Sequence, residues 1–266
     1  MSSADDPKFL WLKHVRQEGL VISRAAIEDF DPILQTAEHT EEFESAKNDI
    51  QSVFTEILEW PNAFIKTGDD LPDAASCDLA DLGLTLRADI AVVDKSEEKT
   101  LLLVKTLEDG VSPDERGIVK GWDGVTHQQA FDRHLRDTGV EAGLLITPTH
   151  YRLTYSPRGE TPGYLEWPIE GMTTTAGRPM LGGFKLILNK EALWGREHRR
   201  LHHILKESRE KQNSVSTKLA GQVLGALYTL LRGFTEAADA DLSEKMEAIA
   251  DKEPHHFYEG LLTVLL

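Results

Sequence analysis

Apolar side chains in the first quarter of the chain recur at intervals of three and four residues, which is the spacing of an amphipathic helix. This stretch covers residues 40–60, and its apolar members are Phe43, Ala46, Ile50, Val53, Phe54, Ile57 and Leu58. Trp60-Pro61 ends the helix, because proline disfavours helical geometry in the residue before it. Two shorter helices are predicted at residues 8–17 and 24–36, on either side of the loop QEGLVIS.

Short apolar runs bounded by polar and glycine-rich segments predict strands in the middle of the chain. Two of them lie at residues 85–94 and 100–107 and are joined by the short charged linker KSEEK, as in a hairpin. A helix is predicted at residues 126–137, because Thr126 can cap its start and Gly139 follows its end. Three more strands are predicted at residues 143–147, 151–156 and 163–169. This order of elements indicates an α/β sandwich with a mixed sheet.

The pattern after residue 175 is helical, with helices predicted at residues 178–190, 199–237, 240–250 and 255–266. The second half of the long helix is apolar on two neighbouring faces, so we expect it to be widely buried. One face carries Leu219, Val223, Leu227, Leu230 and Phe234, and the other carries Leu224, Tyr228 and Leu231. The chain stops within the apolar run YEGLLTVLL, which predicts a piece of a larger protein. We expect an α/β domain over residues 1–175 and a helical connector over residues 176–266.

The composition supports a folded protein without a membrane anchor. The chain has 266 residues, of which 40% are hydrophobic, enough for a packed core. No apolar run approaches the roughly 20 residues of a membrane-spanning helix, and the N-terminus has no signal-peptide pattern. Cys77 is the single cysteine, which excludes an intrachain disulfide and a cysteine metal cluster. These features predict a cytoplasmic protein with no membrane contact.

The net charge of -16 counts against broad DNA affinity, because DNA-binding domains are usually basic. The first half of the long predicted helix is an exception, since residues 199–218 contain six Lys/Arg and two Glu. The basic residues are Arg199, Arg200, Lys206, Arg209, Lys211 and Lys218. A basic cluster of this kind predicts contact with the DNA backbone, whereas the alternative interpretation is a solvated helix face.

An acid and a lysine occupy the two predicted central strands, in the order found in metal-dependent PD-(D/E)xK nucleases. Asp89 lies in LRADIAVVD, and Lys105 follows the run LLLV. In such nucleases one acid comes from a helix, one from a strand, and a third lies two residues before the lysine on the next strand. The carboxylates bind Mg²⁺, which holds both water and the scissile phosphate. Glu56 could be the helix acid and Asp89 the strand acid, while Gln128 or Gln129 on the following helix could support Lys105.

The third acid of such a site is missing. The residue two positions before Lys105 is Leu103, and an aliphatic side chain cannot bind a hard cation. Glu98, before the strand, and Glu108, on its opposite face, are candidate replacements. A purely structural interpretation also remains, in which Asp89 is an edge acid and Lys105 extends its ammonium group to solvent.

Residues 127–169, HQQAFDRHLRDTGVEAGLLITPTHYRLTYSPRGETPGYLEWPI, carry a specific resemblance. Similar strings are EGLVIS near the start, DDLPD at residues 69–73, LRADIAVVD, and KQNSVSTKLAGQVLGALYTLLRGF at residues 211–234. Together they resemble the N-terminal region of Type IIG-like restriction–modification adenine-specific DNA methyltransferases, including the methylases of DISARM phage-defence clusters. The resemblance runs through most of the chain.

This resemblance implies that the full protein transfers a methyl group from S-adenosylmethionine to adenine in DNA. The Asn-Pro-Pro-Tyr motif that such catalysis needs is absent from these 266 residues, so the chain alone is not expected to methylate. The implied fold of residues 1–175 is a PD-(D/E)xK nuclease-like domain, active in some relatives and degenerate in others. Asp89 and Lys105 are its matched positions, with Gln129 a weaker one.

Three functions follow as alternatives from the residues and the resemblance. The first is a non-catalytic module that contacts DNA, the downstream methyltransferase domain or other defence-system subunits. The second is an active endonuclease that uses Mg²⁺ bound by Asp89 and Glu56. The third is a protein-interaction scaffold that does not bind DNA. Apart from Mg²⁺ in the second case, no cofactor is expected in this part of the protein.

Overall fold

A computed structural model describes residues 6–96, 98–117, 119 and 121–237, together with a minority of the later residues. Those later residues are 244–245, 248–249, 251–253, 255–256, 259–260 and 263. The chain divides into two compact units, Met1–Arg209 and Glu210–Leu266. The predicted boundary after residue 175 therefore falls inside the first unit. Much of the predicted helices at residues 240–250 and 255–266 lies outside the described residues.

The N-terminal elements are shorter and more varied than the apolar pattern predicts. They are a 3₁₀ helix Pro7–Lys13, β1 (Arg16–Glu18), a 3₁₀ helix Arg24–Ala26, α1 (Ala37–Ala46), α2 (Ile50–Ser52) and a π-helical segment Val53–Ile57. The predicted helix at residues 8–17 is wrong in its second half, because β1 pairs there with a distant strand. The predicted helix at residues 24–36 reduces to one turn, since Pro32 disfavours helix in the residue before it.

The middle of the first unit is built mainly from strands. They are β2 (Ile65–Thr67), β3 (Ser76–Leu79), β4 (Leu84–Arg87), β5 (Ile90–Val93), β6 (Thr100–Thr106), β7 (Ala142–Ile146), β8 (His150–Tyr155) and β9 (Gly163–Pro168). Short 3₁₀ turns, Asn62–Phe64, Gly68–Asp70 and Asp73–Ala75, surround β2 and precede β3. The helix α3 (His127–Thr138) connects β6 to β7. The predictions for α3 and β6–β9 are confirmed within one residue or two at each end.

Seven strands form one mixed sheet in the order β1-β9-β8-β7-β6-β5-β2, and β3 and β4 form a separate hairpin. The β6–β7 pair is parallel, and the other pairs are antiparallel. A crossover helix is needed between parallel neighbours, and α3 provides it. The expected α/β class with a mixed sheet is confirmed.

The predicted strand at residues 85–94 is in fact two strands that belong to different sheets. The break lies between Ala88 and Asp89. The Ala88 amide donates to Ala75 O at 2.9 Å, next to the β3–β4 hairpin, whereas the Asp89 amide donates to Val104 O in β6 at 2.9 Å. Consecutive residues thus bond to different partners, which a local apolar pattern cannot show.

Two hydrophobic clusters lie on opposite faces of the central strands, because successive side chains of a strand alternate in direction. One cluster contains Leu102 and Val104 and is covered by α1, the π-helical segment, α5 (Arg178–Leu188), α6 (Lys190–Trp194) and the start of α7 (Leu201–Ala237). The other contains Leu103 and is covered by α3. A short helix α4 (Ile169–Met172) and a 3₁₀ turn Glu197–Arg199 complete the first unit.

The α3 helix approaches the sheet closely because β7 carries a glycine beneath it. A Cβ atom placed on Gly143 would lie 2.5 Å from the Phe131 ring and 2.9 Å from Leu103 O. A similar approach explains the Gly182-Gly183 pair of α5, since a Cβ on Gly183 would lie 2.3 Å from the Trp11 ring. These glycines therefore serve helix packing.

The second half of α7 differs from its predicted burial. Leu219, Leu224 and Tyr228 are 54%, 52% and 66% exposed, and among the described side chains of this segment Leu227 is the buried exception. The periodicity correctly predicted a helix. Within the described residues, however, no element packs over most of its apolar side chains. The side chain of Phe234 lies outside the described part. Within that part, no helix has the length and apolar content needed to cross a membrane.

Candidate functional site

Asp89 and Lys105 meet at the end of the β5–β6 pair. The strands pair Ile90 with Val104, so continuing the register places Asp89 opposite Lys105. Lys105 Nζ donates to Asp89 Oδ1 at 2.8 Å. The Thr106 amide and the Thr106 Oγ1 hydroxyl both donate to Asp89 Oδ2 at 2.7 Å. Both carboxylate oxygens therefore have partners within the protein, although each of the two charged side chains is 37% exposed.

The pKa of Asp89 reflects a balance between burial and these bonds. Burial raises the pKa of the carboxyl, but the hydrogen bonds from Lys105 and Thr106 outweigh it and leave the pKa below its usual value. Asp89 is thus an anion at neutral pH, and Lys105 neutralises its charge.

Leu103 lies on the same strand face as Lys105, one step deeper under α3. Its side chain is fully buried and belongs to the cluster that contains Phe131 and Leu135 of α3. In the nuclease arrangement this position would carry the acid that completes the metal site. Here it is part of the packing between helix and sheet.

The other predicted acids are not assembled around Asp89. Glu56 is exposed on the π-helical segment, whose apolar residues pack on the face of the sheet opposite α3. Glu98 precedes β6, so at about 3.3 Å per residue it lies roughly 20 Å along the strand from Lys105. Glu108 is exposed in the loop after β6. Within the described residues, no group of three His, Cys, Asp or Glu side chains could hold a metal ion.

The two glutamines of α3 have other partners than Lys105. Gln129 Oε1 accepts from the Thr126 amide at 3.1 Å, and the Gln129 amide donates to Thr126 Oγ1 at 3.0 Å, so this residue caps the helix. Gln128 is buried and points toward β8. Burial and then the charge of Lys105 lower the pKa of the His127 imidazole on the same helix.

A cleft of about 340 Å³ opens beside Lys105. Its walls come from β4, α3 and Val119 of the loop that joins β6 to α3. The lining is mostly apolar, and its cationic members are Lys105 and Arg87. The cleft is therefore a largely apolar surface, and the Lys105 charge at its edge is compensated by Asp89.

A buried ionic network lies on β8 and β9, and the sequence reasoning missed it. Arg152 is 2% exposed. Its Nε donates to Glu166 Oε2 at 2.7 Å, and its Nη1 and Nη2 donate to Asp114 Oδ1 and Oδ2 at 2.7 and 2.9 Å. Nη1 also donates to Gln128 Oε1 at 3.1 Å, and the guanidinium lies 3.9 Å from the Tyr164 ring centroid. The network joins two strands, the loop after β6 and α3.

One signal could have revealed this network. Arg152 and Glu166 are charged residues in otherwise apolar strands, and they face each other in the β8–β9 register. Opposite charges at facing positions are a cross-strand pair. Asp114 and Gln128 could not have been found in this way, because they lie 38 and 24 residues from Arg152.

The network continues into α3 through Gln128, whose Nε2 donates to Asp132 Oδ1 at 3.1 Å and to Thr154 Oγ1 at 3.2 Å. Asp132 is 6% exposed. Burial raises its pKa to about 6, more than the Gln128 hydrogen bond lowers it. On the same helix, burial lowers the pKa of His134 to about 4, and the ring pairs with Ala75 O at 3.1 Å.

We expect Asp132→Asn to change how stability depends on pH. A carboxyl whose pKa is higher in the folded than in the unfolded state destabilises the fold as pH rises from about 4 to about 6. The variant lacks this loss. The free energy of unfolding of the variant, minus that of the wild type, should therefore increase by about 3 kcal/mol over that range. Urea denaturation of both proteins at several pH values measures the difference.

Comparing the two proteins is necessary because His134 acts in the opposite direction. Its lowered pKa makes stability fall as pH decreases from about 6.5 to about 4, so the two residues partly cancel in the wild type. His134 is present in both proteins and drops out of the difference. A flat difference curve would show that the fold does not raise the pKa of Asp132.

The predicted basic cluster is not one free surface. Arg199 lies 5.1 Å from the Phe30 ring centroid, and Arg200 Nε donates to Gly195 O at 3.0 Å. Arg209 Nη1 donates to Glu160 Oε2 at 3.1 Å. Lys206 is exposed in the first unit. Lys211 and Lys218 belong to the second unit, where Lys218 is exposed and Lys211 is half-buried.

Comparisons of this chain with protein-family models, curated proteins and solved structures find no match. A functional assignment therefore depends on the residues of this chain alone.

Proposed function

We propose that this chain is the N-terminal module of an adenine-specific DNA methyltransferase in a restriction–modification or anti-phage system. The module has a degenerate PD-(D/E)xK nuclease-like fold, contacts DNA or a partner subunit, and does not cleave DNA. S-adenosylmethionine and the methylation step belong to the downstream methyltransferase domain. Its gene should therefore encode an Asn-Pro-Pro-Tyr motif downstream of this segment.

One observation carries the proposal: Asp89 and Lys105 are in contact, with Leu103 buried at the position of the missing acid. The order of elements supports it as well. A helical segment precedes a strand pair that carries the acid and the lysine, and α3 then leads to β7, parallel to β6. This is the order that the nuclease-like interpretation requires.

The same geometry argues against a working metal site. Mg²⁺ needs near-octahedral oxygen ligands and is usually bound by one or two carboxylates. The Asp89 oxygens already accept hydrogen bonds from Lys105 and Thr106, so a metal ion would have to share this carboxylate with the lysine. Neither Glu98 nor Glu108 is placed to supply the second carboxylate. The active-endonuclease alternative is thus the weaker one.

The scaffold alternative is favoured by the charges on the β3–β4 hairpin and the segment before it. Five aspartates are exposed there, Asp69, Asp70, Asp73, Asp78 and Asp81. Close to a phosphate backbone they would repel DNA. Contact with DNA would therefore use a different part of the surface, such as the exposed Lys206.

The proposed function is tested by DNA binding and cleavage with unmethylated phage DNA. We expect a gel shift at low salt, where phosphate contacts are strongest, and no cleavage with Mg²⁺ or Mn²⁺. Lys206→Glu together with Lys218→Glu should weaken binding by about 10-fold. Lys95→Glu, on the exposed turn between β5 and β6, is the control with the same change in charge per residue.

The alternatives give different results in the same experiment. Metal-dependent cleavage that is lost in Asp89→Ala and in Lys105→Ala would support the endonuclease. The absence of any shift at low salt would support the scaffold. If Lys95→Glu weakens DNA binding as much as Lys206→Glu or Lys218→Glu alone, then the binding depends on the net charge of the chain and not on these two lysines.

A further inference from the structure

A second cleft, of about 420 Å³, lies apart from Lys105, at the ends of β7, β8 and β9. It is lined by Arg16 of β1, by residues 109–114 of the loop after β6, by the β7–β8 turn, and by Arg152 and Glu166. The Asp114 carboxylate enters it from the loop. It bonds to both terminal nitrogens of Arg152 and lies 3.7 Å from Arg16 Nη1.

We propose that this cleft is a binding site for a phosphate-type oxyanion, and that Asp114 is a built-in competitor occupying it. The proposal goes beyond the proposed function and does not depend on it. It would hold for a free phosphate ligand even if the chain bound no DNA.

The arrangement around Asp114 is that of an anion held between two guanidinium groups. Two parallel N–H···O bonds from one arginine are the geometry with which arginine binds both carboxylates and phosphates. Glu166 is fixed in β9 and contacts both Nε and Nη2 of Arg152, on the inner side of the guanidinium, so it shares Nη2 with Asp114. Asp114 covers the outer edge, formed by Nη1 and Nη2, and this is the edge that an incoming oxyanion would contact.

The exposed fractions of the side chains around Arg152 show which carboxylate a ligand could replace. Arg152 and Glu166 have side chains that are 2% and 10% exposed, and both belong to strands. Asp114 is 43% exposed and belongs to a loop, where its backbone is held by a bond from its own amide to Ser112 Oγ at 3.3 Å. Replacing Asp114 removes a loop contact of Arg152 and leaves its contact with Glu166 between the strands.

A phosphate has two advantages over the Asp114 carboxylate. It carries more negative charge at neutral pH and has additional acceptor oxygens, so it can bond to Arg16 as well as to Arg152. The cleft also contains hydroxyl and imidazole groups that could reach such oxygens, from Ser112, Thr149 and His150. Arg16 is 58% exposed and can follow the ligand, although Glu18 at 3.4 Å competes for it.

The test is chemical rescue of Asp114→Ala by inorganic phosphate. The variant leaves the outer edge of Arg152 without its carboxylate, so phosphate should bind there and raise the urea midpoint in a saturable way. We expect the half-saturating phosphate concentration to be at least about 10-fold lower than for the wild type. Sodium chloride at matched ionic strength separates binding from screening.

Asp109→Ala is the matched control, because it removes the same charge from the same cleft and has no described bond to either arginine. It should respond to phosphate as the wild type does. Adding Arg16→Met to Asp114→Ala should remove most of the rescue. If Asp114→Ala does not fold, Asp114→Asn keeps an acceptor for Arg152, and its response to phosphate is measured instead.

The proposal is overturned if the Asp114 variant responds to phosphate no more than the wild type, or if the Asp109 control responds equally. If phosphate does rescue Asp114→Ala, the affinity of both proteins for a short DNA duplex shows whether the phosphate group belongs to DNA. Tighter DNA binding by Asp114→Ala than by the wild type would assign the site to a nucleic-acid backbone. Rescue by phosphate without a gain in DNA affinity would support the site and assign it to a free phosphate ligand.

Discussion

Arg152→Ala is expected to lower the free energy of unfolding by about 3–5 kcal/mol, the usual cost of breaking a buried ion pair from one side. Glu166 has a 10% exposed side chain and would keep a charge without its main partner. Gln128 of α3 would lose one of the two β8 side chains to which its amide bonds. The loss should appear as a lower urea midpoint with an unchanged slope.

An exposed ion pair provides the control for this prediction. Arg133 pairs with Asp137 one turn further along α3, and its side chain is 41% exposed. Arg133→Ala should cost about 0.5 kcal/mol or less, because water screens exposed pairs. If both variants lost the same amount, the network around Arg152 would contribute no more than a surface pair does.

Leu103→Glu is expected to cost about 4 kcal/mol at neutral pH, although it restores the acidic residue of the nuclease pattern. The variant loses the buried leucine packing, and the new carboxyl must either carry its charge beneath α3 or stay protonated at a further cost. The loss should be smaller at low pH, where the new side chain is neutral in both states. Denaturation at two pH values, with and without Mg²⁺, measures both effects.

Leu103→Met keeps the volume and the apolar character, so it should cost less than about 1.5 kcal/mol. The pair of variants separates the effect of charge from that of shape. A glutamate variant as stable as the wild type that gains Mg²⁺ affinity would mean that the position can turn toward Lys105. The interpretation that residue 103 is buried and cannot complete a metal site would then be wrong.

The elements that the sequence predicted well have a local signal. The strands β6–β9 are apolar runs bounded by turns, and α3 carries its own cap and its own C-terminal glycine. The elements that it missed depend on distant partners. All three residues of β1 are exposed, so no alternation marks it as a strand, and its partner β9 is more than a hundred residues away in the sequence.

The candidate site also contains residues that a local sequence signal places and residues whose position depends on distant partners. Asp89 and Lys105 could be paired from the sequence, because alternation and a short linker suffice to place them on adjacent strands. Glu166 could likewise be paired with Arg152 across adjacent strands, but Asp114 could not, since it comes from a loop with no periodicity. The roles predicted for Gln129 and Glu56 depended on where a helix side chain points, which the cap of α3 and the packing of the π-helical segment determine.

The junction between Ala88 and Asp89 has a geometric consequence. The first residue is bonded beside the β3–β4 hairpin and the second to the central sheet, so no spare backbone separates them. The placement of the hairpin and that of the Asp89 carboxylate are therefore fixed by two neighbouring residues of the chain, with no loop between them.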